Sequence, residues 1–259
     1  MDETNSTSVA THTETMTVLG VNIGLFSRET AVALLLERLA GRRLTKVAFA
    51  NSNLLMQLHA SGAGPRLLDD FLILNDGLAL DLAAKFLHGR KFPDNLVGTD
   101  FVPLLLSRLP AGTRVYLLGA KPGVAEKAAA ALQAQSAVTI CGARHGYGVD
   151  EAVLTEIAAA RPDVLIVAMG NPLQEKWIAA HAAETGATLA LGVGALLDNL
   201  AQEVRRAPVW VRNLRSEWLF RLSQEPRRLM RRYTVEMSAF FLAVWRDRRR
   251  SKGTDGQAA

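Results

Sequence analysis

The stretch Phe71-Leu-Ile-Leu-Asn-Asp-Gly-Leu-Ala-Leu-Asp81 decides how the chain is read. Four apolar residues run into a polar turn, Asn75-Asp76-Gly77, and an apolar pattern then resumes through Ala84, Phe86 and Leu87. An uninterrupted apolar run that stops at a turn suits a strand covered on both faces, and the resumed pattern suits a helix. Asp76 is thereby delivered to the point where strand becomes helix. In open α/β folds, ligands bind in crevices beyond the carboxyl ends of strands. A carboxylate at that point either caps the helix or takes part in chemistry.

The same alternation extends in both directions. Upstream, Val18 to Ile23 reads as a short strand, and Ser27-Arg28-Glu29-Thr30 opens a helix through Leu39. Val47 to Ala50 is a strand ending in Asn51-Ser52-Asn53, and Leu54 to Ala60 is helical. Downstream, Gly89 to Asn95 is a loop, and a helix runs from Thr99-Asp100 through Leu109 until Pro110-Ala-Gly112 ends it. Strands follow at Arg114–Leu118, Val138–Cys141, Val164–Ala168 and Thr188–Leu191. The helices between and after them cover Val124–Gln135, Glu151–Ala160 and Leu173–Glu184, and Gly142 to Gly148 reads as a Gly-rich loop. The pattern predicts an α/β fold: one or two Rossmann-like parallel sheets with helices on both faces. We expect a core over residues 18–204, divisible into two halves near residue 110, between unstructured tails at 1–17 and 251–259.

Polar residues collect at four predicted strand ends: Asn51 and Asn53; Asn75 and Asp76; Asn171, Gln174 and Glu175; and Asp198 after Gly192-Val193-Gly194. A single Asn or Asp in such a turn usually caps the helix. Four at equivalent ends of a parallel sheet share one edge and can line one cleft. Gly119-Ala-Lys-Pro-Gly123 and Gly192-Val-Gly194 offer backbone N–H groups suited to a diphosphate. Neither completes the dinucleotide pattern G-x-G-x-x-G, so a nucleotide is favoured over NAD. The five histidines are scattered, no D-x-D or H-x-x-x-H occurs, and no metal site is expected. The absence of G-x-S-x-G argues against an α/β-hydrolase.

Charge marks off the C-terminal part. The chain carries +5 overall. Arg205 to Lys252 holds thirteen Arg and one Lys against four acidic residues, a net +10, which leaves −5 for the remainder. We read residues 205–250 as a basic appendage facing an anionic partner: phosphate groups, an acidic membrane surface or nucleic acid. Within it Met237 to Trp245 is an apolar run flanked by arginines. Phe240, Phe241, Leu242 and Trp245 suit a lipid interface, and packing on the protein itself is the other reading. The lone Cys141 permits no internal disulfide and fits a reducing compartment. Residues 1–17 lack the basic and apolar regions of a signal peptide, and no window is long and apolar enough to span a bilayer.

The strand ends and the basic segment together resemble the WecB/TagA/CpsF bacterial glycosyltransferases (glycosyltransferase family 26). The landmarks are Asn75-Asp76-Gly77, Gly98-Thr-Asp100, Tyr116-Leu-Leu-Gly119, Gly170-Asn-Pro-Leu-Gln-Glu-Lys-Trp177, Gly192-Val-Gly-Ala195 with Asp198, Arg206-Ala-Pro208, Glu217-Trp218 and Glu225-Pro226-Arg227 through Tyr233. The resemblance covers about Val18 to Tyr233. It implies inverting transfer of a sugar from a UDP-sugar, bound as substrate, to a polyprenyl-diphosphate-linked glycan. No metal and no separate cofactor are required. The products belong to surface or exopolysaccharide, made by an enzyme on the cytoplasmic face of the plasma membrane, with self-association known among members.

Under the resemblance Asp76 is the catalytic base, with Asn51 and Asn53 beside it. Substrate contacts fall on Asn75, Gly77, Gly119, Asn171, Gln174, Glu175, Gly192, Gly194 and Asp198. The acceptor diphosphate falls to Arg206, Arg212, Arg221, Arg227, Arg228, Arg231 and Arg232. Two positions depart from the family pattern: Asn51 stands for a threonine, and Asn95 for a frequent arginine. Both touch the sugar or acceptor site, so the donor is left open among N-acetylmannosamine, glucuronic acid and glucose. The competing reading is a nucleotide-binding α/β domain with a nucleic-acid-binding appendage. The apolar run argues against it, and no nucleic acid partner is expected.

Overall fold

The computed structural model describes residues 14–61, 65–202 and 236–255. Two short strands come first, β1 (Thr15–Val18) and β2 (Val21–Gly24). The chain continues through α1 (Arg28–Ala40), β3 (Thr45–Ala50), α2 (Ser52–Ala60), a 3-10 turn (Pro65–Leu68), β4 (Phe71–Asn75), α3 (Leu78–His88) and α4 (Gly98–Arg108). Then come β5 (Arg114–Gly119), α5 (Val124–Gln135), β6 (Thr139–Arg144), α6 (Glu151–Ala160), β7 (Val164–Ala168), α7 (Leu173–His181), β8 (Leu189–Gly192) and α8 (Leu196–Leu200). A helix over Met237–Asp255, here α9, ends the described chain.

Strands β3 to β8 form one six-stranded sheet in the order β4-β3-β8-β7-β5-β6, with every neighbouring pair parallel. The strands on either side of Pro110 therefore belong to one sheet. Their apolar runs are continuous because both faces are covered. In β4, Phe71 and Ile73 enter one core and Leu74 the other. The first core holds α2, α3, α6, α7, α9 and the β1–β2 hairpin; the second holds α1, α4, α5 and α8. Leu54, Leu55 and Leu58, on one stripe of α2, are all buried. Burial of each such side chain is worth roughly 1.5–3 kcal/mol.

Four expectations change. The single strand expected at Val18–Ile23 is an antiparallel hairpin, β1 with β2, folded through Leu19 and Gly20 at φ 50° and 80°. Positive φ at both turn residues is the geometry of the tight turns that match strand twist, and Leu-Gly is a weak signal for it. The N-terminal tail is consequently shorter than expected, because Thr15 to Val18 are paired. The Gly-rich loop at 142–148 begins later, since β6 runs to Arg144. Gly142 is a strand residue there because the Tyr116 ring occupies the space of a side chain: a Cβ would lie 2.2 Å from its Cε2. At the other end, α9 continues to Asp255, past the expected limit at residue 250.

Phe240 is also corrected. It is fully buried and Val244 nearly so, in the core shared with α2 and α3. A side chain committed to the protein interior is not available to a lipid interface. Leu242 and Trp245, on the outer side of α9, are exposed. Among the described residues, no helix is long and apolar enough to cross a membrane.

Candidate active site

The topology opens a crevice between β3 and β8. After β3 the chain enters α2 on one face of the sheet; after β8 it enters α8 on the other. Helices that leave neighbouring strands toward opposite faces cannot close over both strand ends, so the gap between them is the expected ligand position. Asn51 follows β3 and Gly192-Val193-Gly194 ends β8 at this gap. The next strand in order, β7, brings Gly170 and Asn171 to the same edge.

These ends are joined by a network of amide side chains. The Asn51 Oδ1 caps α2 by accepting the Leu54 N–H at 3.0 Å and also meets the Asn171 Nδ2 at 3.4 Å. Gln57 Nε2 donates to Asn53 Oδ1 at 3.0 Å and to the Asn171 carbonyl at 3.3 Å. Gln174 is the hub. Its Oε1 accepts the N–H of Gly170 at 3.1 Å and of Gly194 at 2.9 Å, tying the ends of β7 and β8 together. Its Nε2 donates to Asn171 Oδ1 at 3.0 Å and to Glu175 Oε1 at 2.8 Å. A carboxamide offers two donors and an acceptor with two lone pairs. Both ends of Gln174 are thus in use, and the buried side chain is held in one orientation.

Glu175 lies behind the hub. The residue is fully buried, and its Oε2 has no hydrogen-bond partner among the described residues. Burial raises its pKa to about 7, although the hydrogen bond from Gln174 and a backbone bond pull in the other direction.

The Asn75-Asp76-Gly77 turn flanks this network on the β4 side. Ala50 pairs with Asn75 in register, and the Asp76 N–H donates to the Ala50 carbonyl at 2.7 Å. Asn51 and Asp76 therefore leave the sheet side by side. Asp76 is half-buried. The N-cap of α3 is Gly77, at φ 103°, with no side-chain cap, so Asp76 stands one residue before the cap. Gly77 is needed because that φ strains any residue with a Cβ.

A loop from elsewhere in the chain holds the turn from behind. Buried Asn75 donates from Nδ2 to the Asp94 carbonyl at 2.8 Å, and the Leu96 N–H donates to the Asn75 carbonyl at 3.0 Å. The Gly77 N–H donates to Asn95 Oδ1 at 2.8 Å. Asn95, noted in the sequence only as a departure, thus supports the turn that carries Asp76. Asn95→Ala is expected to cost about 1 kcal/mol in urea unfolding, together with a loss of turnover. Unchanged stability and turnover would detach the loop from the site.

The remaining candidates are spread along the same edge. Gly119 pairs with Ala168 at the ends of β5 and β7, so close that a Cβ on Gly119 would lie 2.3 Å from the Ala168 carbonyl oxygen. The next N–H in that turn, Ala120, donates to the same carbonyl. Gly192 packs against Gln174, and a Cβ there would lie 3.2 Å from its Nε2. The Gly194 N–H, read in the sequence as a diphosphate ligand, is engaged by Gln174 instead. Asp198 lies half-buried in the first turn of α8. Arg206, Arg212, Arg221, Arg227, Arg228, Arg231 and Arg232 lie outside the described residues.

The structure therefore brings Asn51, Asn53, Asn171, Gln174, Glu175 and Gly194 into one bonded cluster with the Asp76 turn at its side. Sequence reading missed Gln57 and the support that the Asp94–Asn95 loop gives the Asp76 turn. Gln57 had a local signal, four residues after Asn53 on the same helical face; the loop's role depends on a long-range contact and had none.

A crevice lined by amides beside a carboxylate suits polyhydroxylated ligands, whose hydroxyls both donate and accept. The comparison with protein families agrees in kind: the model of the glycosyl transferase WecG/TagA/CpsF family matches residues 16–254. With nearly the whole chain matched and the family's turn motifs gathered on one sheet edge, the protein belongs to the WecG/TagA/CpsF family of glycosyltransferases.

Proposed function

We propose that the protein transfers a sugar from a UDP-sugar to a polyprenyl-diphosphate-linked glycan, with inversion and without a required metal, in the synthesis of a bacterial surface or extracellular polysaccharide. The observation that carries this reading is the setting of Asp76. Asp76, a half-buried residue, leaves the sheet beside Asn51, next to the amide cluster at the β3–β8 crevice.

In the mechanism Asp76 accepts the proton of the acceptor hydroxyl as the oxygen attacks the anomeric carbon from the face opposite UDP. General-base help of this kind is worth about 10²–10⁴-fold. Asn51, Asn53 and Asn171 orient sugar hydroxyls, and Gln174 with Glu175 fixes the frame in which they sit. The departing diphosphate develops negative charge. Arg side chains of the 205–232 segment neutralise it, because bidentate guanidinium contacts to phosphate need no metal. The lipid-linked acceptor brings the enzyme to the inner face of the plasma membrane.

The test is UDP release from a panel of UDP-sugars with a polyprenyl-diphosphate-sugar acceptor, with and without EDTA. One donor is expected to support acceptor-dependent release at a rate EDTA leaves unchanged. Loss of activity in EDTA and recovery with Mg²⁺ or Mn²⁺ would overturn metal independence. The absence of acceptor-dependent release with every donor would overturn the reaction.

A further inference from the structure

Helix α3 carries apolar side chains on its outer face as well as on its buried one. Its buried face is built from Ala79, Leu80, Ala83 and Ala84 together with Asp81. Three of its large apolar residues point outward: Leu78, Leu82 and Phe86 are 41%, 43% and 39% exposed. Their spacing of four residues makes one stripe, about 12 Å long at the helical rise. The stripe begins two residues after Asp76. At its far end it meets α9, where the Arg248 guanidinium lies 4.3 Å from the centre of the Phe86 ring. There α9 adds exposed Leu242 and Trp245, at 47% and 40%, with Arg249 stacked 3.7 Å from the Trp245 ring.

Amphipathic helices normally turn such residues inward, and contiguous exposed apolar surface marks a contact. Charge identifies the contact. Lys85 is exposed between Leu82 and Phe86, and on α9 exposed Arg246 and Arg249 with partly exposed Arg248 outnumber the partly exposed Asp247. The one acidic residue of α3, Asp81, is buried. A second copy of the chain docking face to face would bring this basic surface against itself, at a cost in like-charge repulsion. A bilayer with anionic headgroups neutralises the bases and accepts the apolar side chains at the same depth.

We infer that α3, a helix of the catalytic core, together with the outer side of α9, forms the surface that docks on an anionic bilayer. The docking sets the Asp76 turn at headgroup level, where the diphosphate of a lipid-linked sugar lies. That purpose rests on the proposed function; the docking itself does not. The anchoring surface is then partly built into the α/β core, beyond the basic C-terminal segment.

Co-sedimentation of the full-length chain with phosphatidylglycerol–phosphatidylcholine vesicles and with pure phosphatidylcholine vesicles tests this. Wild type is expected to partition onto the former. L82Q/F86Q is expected to lower that partition at least tenfold while its melting temperature stays unchanged, because both side chains are exposed. Lys85→Glu is a second variant, expected to weaken binding to the anionic vesicles only. Wild-type partition by L82Q/F86Q would overturn the inference. So would light scattering that finds a vesicle-free dimer of wild type but a monomer of the variant, which would assign the stripe to a second copy. UDP release with a short-chain, water-dispersed acceptor is expected to be equal in wild type and variant; a selective loss there would assign the stripe to the active site instead. If neither enzyme releases UDP, the proposed reaction fails and the vesicle result stands unaffected.

Discussion

Replacing Asp76 with Asn is expected to lower turnover by about 10²–10⁴-fold, the range by which a positioned base assists proton transfer. The folded state should be retained. The main ties of this turn are made by its backbone and by Asn75: the Asp76 N–H to Ala50, the Asn75 Nδ2 to Asp94, and the Gly77 N–H to Asn95. These backbone and Asn75 ties stay in place in the variant, and Asn has nearly the same shape as Asp. Binding of UDP, followed by calorimetry, should match wild type, which separates loss of the base from loss of the site. The decisive measurement is single-turnover transfer at saturating donor. A rate close to wild type would remove Asp76 from the role of base and return it to a structural position before the α3 cap.

The second large effect concerns pH. Glu175 is fully buried, with its pKa raised from 4.5 to about 7 by desolvation. Between those values the folded protein binds a proton that the unfolded chain does not, so stability must fall as pH rises through this window. A displacement of that size corresponds to about 3 kcal/mol, present in full below the unfolded pKa and lost by about pH 8. Thermal melting of wild type should therefore fall from pH 5 to pH 8 more steeply than melting of Glu175→Gln. The variant cannot ionise there and keeps an acceptor for the Gln174 amide. At pH 8 it should be the more stable protein. Parallel melting profiles across the window would show that Glu175 stays in one protonation state throughout. Because Glu175 braces Gln174, and Gln174 ties Gly170 to Gly194, turnover should follow the same titration.

The legible parts of this molecule were those encoded by local pattern. Val164 to Ala168 is apolar at every position because it lies inside a parallel sheet, and Ser27 announced α1 through a capping bond to Thr30 that the structure contains. The N-D-G turn was legible for the same reason, as apolar residues that stop at a glycine tolerant of positive φ. Contacts that join distant stretches were not. Nothing near residue 95 shows that its side chain receives the Gly77 N–H, and nothing near Gly142 shows the Tyr116 ring above it. The burial of Glu175 was hidden as well: it sits in a helix of mixed polarity, and only the sheet packed behind it makes the carboxyl costly to ionise.

The parallel arrangement of the sheet has an electrostatic consequence that its net charge hides. By sequence, the chain outside residues 205–252 carries −5, a poor starting point for receiving a diphosphate. Yet every strand of a parallel sheet hands over to a helix at the same edge, so α2, α3, α5 and α7 all begin there. Each presents the positive end of its dipole, equivalent to roughly half a unit charge, toward the space beyond the strands. Salt weakens attraction between exposed charges over a Debye length of about 10 Å at 0.1 M, so long-range capture by the arginine segment should fade as ionic strength rises. The helix ends act at contact distance and persist. Donor affinity should accordingly keep a salt-resistant part, set by the backbone of the core.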